Sequence, residues 1–225
     1  MKRVLFMLAV CSLSASGAYA QSKIVNSAHD LSPTSTFKSP VDGTTQYGAA
    51  ETDRLCVYCH TPHYARTTAP LWNRSDADLA SATPYASGTF DFAPDYTSGD
   101  IPLCMSCHDG DMTRALINLN GKNSDLLTPA ADRTLTMVEG PALIGTNFTN
   151  DHPVGFVYDH ALDKQGGLKD IVGTLDGDLL LRGAASNEVW CSSCHNVHDP
   201  GTGGTAPFLR VSNTGSALCL KCHDK

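Results

Sequence analysis

Cys56-Val57-Tyr58-Cys59-His60-Thr61-Pro62-His63 returns further along the chain as Cys191-Ser192-Ser193-Cys194-His195-Asn196-Val197-His198. Two shorter copies, Cys104-Met105-Ser106-Cys107-His108 and Cys219-Leu220-Lys221-Cys222-His223, complete a set of four C-x-x-C-H frames. On a helical turn, residues i, i+3 and i+4 share a face. The two thiols of each frame therefore point the same way, with an imidazole beside them. One pentapeptide can thus bond both vinyl groups of a haem and offer its iron an axial nitrogen. Structural zinc and disulfides also use C-x-x-C pairs, but neither needs a histidine after each of four pairs. The frames predict four covalently bound haem c groups. Cys56, Cys59, Cys104, Cys107, Cys191, Cys194, Cys219 and Cys222 would hold them, and His60, His108, His195 and His223 would be the proximal ligands.

The chain has nine histidines, so His29, His63, His152, His160 and His198 are left over. Beyond the N-terminal segment, methionine occurs only as Met105, Met112 and Met137, and Met105 lies inside a frame. Spare histidines and scarce methionines predict bis-histidine iron throughout. His63 follows His60 by three residues, as His198 follows His195. Such a ring leaves from the same side as the attached haem and cannot reach that iron's far face. It is better placed to ligate a neighbouring haem, locking two haems together. His29 and His152 each precede the first frame of a half, which exposes an internal repeat. Each half reads lone histidine, C-x-x-C-H-x-x-H, an Ala-Pro-apolar segment (Ala69-Pro70-Leu71-Trp72, Ala206-Pro207-Phe208-Leu209), then Leu-C-x-x-C-H-Asp. His29, His63, His152 and His198 are the predicted distal ligands, with His160 in reserve.

Composition agrees with a chain wrapped around cofactors. Of 225 residues only 7% are aromatic, while Gly and Pro number 19 and 12. Lys plus Arg total 16 against 23 Asp plus Glu, a formal charge of −7. That argues against nucleic-acid binding, which needs clustered cations. Lys2-Arg3, the apolar run Val4 to Leu13 and Ala18-Tyr19-Ala20 read as a signal peptide over residues 1–20. Cys11 would leave with it, since Val10 stands where a lipoprotein site wants a small residue. No later apolar run is long enough to span a membrane. The organisation expected is a first dihaem half at 21–110, a linker segment at 111–150 and a second dihaem half at 151–225. The polar arm 21–55 and the stretch 75–102 read as irregular. Met112 to Leu119 could continue a helix past His108, and Ile171 to Leu175 with Leu179 to Arg182 flank the turn pair Asp176-Gly177 as a hairpin. The fold expected is a multihaem cytochrome c: mostly irregular coil, short helices at the attachment turns, at most a small hairpin, and a core filled by four haems. Propionates would be exposed or paired with arginines such as Arg66, Arg74 and Arg210.

The segments Cys56–His63, Asp151-His152-Pro153-Val154-Gly155 and Cys191–His198 resemble the paired C-x-x-C-H cytochromes of metal-reducing bacteria, in particular filament-forming outer-surface tetrahaem cytochromes. The resemblance covers the haem motifs and their order, with little in the loops. It implies closely stacked bis-histidine haems, a cell-surface or extracellular location, and head-to-tail homopolymerisation into a conductive filament. It also implies that a histidine of one subunit can ligate a haem of the next, with His29 and His160 the donors to consider. The activity expected is electron transfer by haem-to-haem hopping, without catalysis, between redox partner proteins or extracellular acceptors. A soluble periplasmic carrier is the alternative. A multihaem reductase would need an open iron, for which no lysine-terminated frame or missing distal histidine speaks.

Overall fold

The computed structural model describes residues 23–50, 53–67, 70–114, 128–171, 174–175, 179–201 and 208–224. The residues read as a signal peptide, the Asp176-Gly177 turn and positions 115–119 lie outside them.

Each C-x-x-C-H frame lies on a short helical turn. Helix α1 (Ile101–His108) carries the second frame, and Pro102 sits in its first turn, where a missing N–H breaks no helical bond. Helix α2 (Cys191–Cys194) carries the third. The first and fourth sit on 3-10 turns, Leu55–Tyr58 and Cys219–Lys221. The helix expected from Met112 onward does not form across residues 112–114, which lie in a turn and coil. Gly110, at φ 108°, takes the backbone out of helical space directly after α1, and Asp111 then bridges to Thr136.

Extended structure is limited to two small antiparallel pairs among the described residues. Strands β2 (Thr174–Leu175) and β3 (Leu179–Leu180) form the expected hairpin in short form, with Thr174 opposite Leu180. Arg182, expected in the same hairpin, bridges instead to Glu188. Strand β1 (Phe156–Val157) pairs with β4 (Glu188–Val189), a contact no local pattern announces because two-residue strands carry no alternation.

Apolar packing is divided among three small clusters. The first joins Leu31, Ala49, Tyr58, Met112 and Leu135, with Cys59 and Cys107 at its edge. The second holds Ala77, Leu79, Tyr96, Ile101, Met105 and Phe148 and touches Cys191. The third gathers Phe156, Tyr158, Leu181 and Val189 and touches Cys222. Frame cysteines thus stand at the margin of every cluster. In the segment read as a linker, residues 128–150 supply Leu135 and Phe148 to these clusters and bridge to Tyr47, Ala49 and Thr83. The two halves meet tightly at Gly99 (φ 65°), where a Cβ would stand 2.4 Å from the Trp190 ring. Mostly coil, with few short helices and little sheet, the architecture fits a haem-binding cytochrome.

Candidate haem centres

The sequence repeat is also a repeat of local structure. After the first frame, Thr61 donates its N–H to Leu71 and Asn73 donates to Cys59, at 2.9 Å each. After the third frame, Asn196 donates to Phe208 (2.7 Å) and Arg210 to Cys194 (2.8 Å). His60 bridges Trp72 as His195 bridges Leu209. Leu71 and Phe208 both adopt left-handed backbone, at φ 62° and 61°. Residues 71–73 and 208–210 therefore return along their frames and fix the frame histidines. One more brace recurs with different chemistry: Asn73 Nδ2 donates to the Val57 carbonyl (2.6 Å) and Arg210 Nε to that of Ser192 (2.9 Å).

Three pairs of histidine rings face each other. His29 and His108 have ring centres 6.2 Å apart, His60 and His198 6.0 Å, and His152 and His223 6.3 Å. Each pair joins a frame histidine to a spare one. Two imidazoles on opposite faces of one iron, each bound at the ~2.0 Å usual for metal–imidazole nitrogen, hold their ring centres roughly 6 Å apart. The ring planes are close to perpendicular in the first and third pairs (90° and 80°) and only 28° apart in the second.

The far nitrogens support the same fit. His60 Nδ1 lies 2.6 Å from the Pro70 carbonyl, His108 Nδ1 2.8 Å from that of Ala142, and His152 Nδ1 2.9 Å from that of Pro153. A carbonyl only accepts, so each Nδ1 carries the proton and Nε2 keeps a lone pair for metal. His29 Nδ1 is buried without a hydrogen bond of full geometry, although the Val197 carbonyl acts on the ring. Burial, then the nearby His108, pushes the His29 pKa down to about 4, which favours the neutral imidazole. Burial lowers His108 as well, and burial followed by His60 lowers His198. Beside the fourth frame, a cleft is lined by Gly215, Ser216, Cys219, Leu220 and His223.

The thiols of different frames approach one another. Burial, then Cys107, raises Cys59 to about 12, and burial, then Cys222, raises Cys194 to about 11. Cys104 and Cys191 stand together with Asp100, their ligand atoms all within 4.8 Å of one another. Asp100 also accepts from the N–H groups of Cys191 (3.2 Å) and Ser192 (3.0 Å), the first two of α2. A first-half carboxylate thereby caps the turn that carries a second-half frame. Asp100→Ala should cost about 1–2 kcal/mol in chemical denaturation, with Asp100→Asn retaining most of the stability. Equal losses for the two variants would exclude the capping role.

Of the arginines considered for propionates, Arg66 lies 3.8 Å from Asp76 and Arg210 braces its frame. Arg74 is fully buried, donating to Ser106 Oγ and to the carbonyls of Ser106 and Met112. Its Nη1 has no hydrogen-bond partner. The guanidinium is thus enclosed by protein and bonded only to neutral acceptors, which sets it apart from arginines able to meet a propionate at the surface.

The structure thus brings together His29, His60, His108, His152, His198 and His223. His63 is exposed beside its frame. His160, the reserve, lies on a 3-10 turn with Nδ1 3.2 Å from Asp170. Asp100, the Asn73 brace and the burial of Arg74 escape a reading of the sequence. Asp100 before Ile101-Pro102 does announce a helix start, but nothing nearby announces the second helix it caps.

Residues 183–225 match the doubled CXXCH motif family. The matched stretch holds the third and fourth frames, supports a multihaem cytochrome c-like family acting in electron transfer, and implies covalently bound c-type haem. No curated protein matches the chain.

Proposed function

We propose that this chain is a tetrahaem c-type cytochrome that transfers electrons through bis-histidine haems and performs no substrate chemistry. The observation that carries this reading is the set of three histidine ring pairs at 6.0–6.3 Å, each combining a frame histidine with a spare one. When bound, the haems supply one-electron iron couples, and closely spaced irons pass electrons by hopping. The chain's own residues do the rest. The eight frame cysteines would anchor the haems, the paired imidazoles would ligate their irons, and backbone carbonyls on Nδ1 fix the ring orientations.

The proposal includes export through the N-terminal signal and assembly into an extracellular conductive filament serving external acceptors. The resemblance of the frames and their order to filament-forming cytochromes supports that part. A soluble periplasmic carrier would share the haem chemistry and lack the polymer.

Pyridine haemochrome assay of the native protein should give one haem per frame. EPR should show only low-spin iron in two classes: strongly anisotropic signals from the near-perpendicular pairs and a rhombic signal from His60–His198. An iron that binds cyanide readily in the resting protein would favour a reductase. Negative-stain microscopy of the secreted protein should show filaments; monomers alone at high concentration would leave the soluble carrier.

A further inference from the structure

The turns at 56–63 and 191–198 share sequence, return segment and brace, and they meet across the His60–His198 ring pair. The outer pairs also repeat, His29 with His108 in one half and His152 with His223 in the other. Only His60–His198, among these three, joins the halves. Exchanging the halves turns His60 into His195 and His198 into His63.

We propose that the two C-x-x-C-H-x-x-H motifs exchange distal ligands: His198 serves the iron whose attached histidine is His60, and His63 serves the iron whose attached histidine is His195. The inference rests on the haem reading of the frames and adds which histidine closes which centre. An exchange of this kind is isologous and closes on itself within one chain; the open arrangement would send His63 to a neighbouring copy. Contacts across the halves favour closure. Asp100 caps α2, and Lys23 pairs with Asp199 immediately after the third-frame motif. His29 packs at 4.3 Å against Phe208, whose carbonyl accepts from Asn196 of the third-frame motif. The turn bearing His195 is therefore seated on the first half. The exchange would tie the halves through the cofactors themselves.

The test uses the full haem-loaded protein, separated into monomer and polymer, with spin states read by EPR and magnetic circular dichroism. His63→Ala should convert one low-spin iron per chain to high-spin in the monomer, and added imidazole should restore it. His63→Met should instead give the far-red absorption of a methionine–iron bond at one haem. His198→Ala should convert a different iron. With the third frame removed (Cys191→Ser and Cys194→Ser), His63→Ala should add no high-spin iron, whereas His198→Ala still should. A monomer whose low-spin content is unchanged by His63→Ala overturns the exchange. So does an unaltered monomer with a high-spin iron that becomes low-spin only on polymerisation. Less than one haem per frame in the unaltered protein, or no bis-histidine spectrum, defeats the underlying haem reading instead.

Discussion

Alanine in place of His29 is expected to convert one low-spin iron of the haem-loaded protein to high-spin and to lower stability by about 2–4 kcal/mol. The ring stands 6.2 Å from His108 and 4.3 Å from Phe208, so it touches residues of both halves. Its deletion removes the ring that faces His108 and opens a cavity against Phe208. On the proposed reading the iron held by His108 would lose its second imidazole, and the strongly anisotropic low-spin signal would lose one contributor. The control is His160→Ala. That ring contacts Asp170 at an exposed 3-10 turn, and its removal should move stability by no more than ~0.5 kcal/mol and leave the spin states alone. EPR together with guanidinium denaturation checks both. A fully low-spin His29→Ala protein would show that His108 takes its second ligand elsewhere.

Preventing haem attachment should abolish the cooperative fold altogether. Ordering a backbone costs ~1–2 kcal/mol per residue, and burial of side chains must offset it. Here the buried apolar residues fall into clusters of no more than six. The longest helix among the described residues has 8 residues, and each sheet has two strands. Long irregular stretches such as 31–46 rest on Asx and Ser turns, in which Asp30 holds Ser32 and Asp42 holds Thr44 and Thr45. These turns shape the chain locally without excluding water from a core. A protein with all eight frame cysteines changed to serine should show a disordered far-UV circular dichroism spectrum and no thermal transition. A sigmoidal transition near that of the holoprotein would mean that the three clusters suffice without haem.

The frames and the repeat were legible because attachment chemistry imposes a fixed spacing. Position in the repeat singled out His29 and His152, but did not show that they face His108 and His223. The pairing of His60 with His198 did not follow from spacing, which says only that His198 must look away from its own frame. The pairing of 174–175 with 179–180 was visible through the turn pair Asp176-Gly177 between its flanks. The pairing of β1 with β4, and the cap that Asp100 gives to α2, were not visible. Each depends on where two distant segments meet, and neither leaves a periodic trace. Arg74 stood with Arg66 and Arg210 as a candidate propionate partner, and nothing in the sequence set it apart from them. Its burial beneath Ser106 and Met112 follows from packing that composition does not encode.

The cap on α2 has a kinetic side. Asp100 and Ser192 are 92 positions apart, and Lys23 and Asp199 are 176. Contacts this distant in sequence make folding slow, because loop closure comes before any reward. A chain made from its N-terminus finishes residues 23–114 long before Asp199 exists, and the ring that faces His60 belongs to residue 198. On the proposed exchange, the first frame would stay half-liganded until the last third of the chain folds onto it. A product truncated before His198 would then be spectroscopically recognisable by that unfilled position.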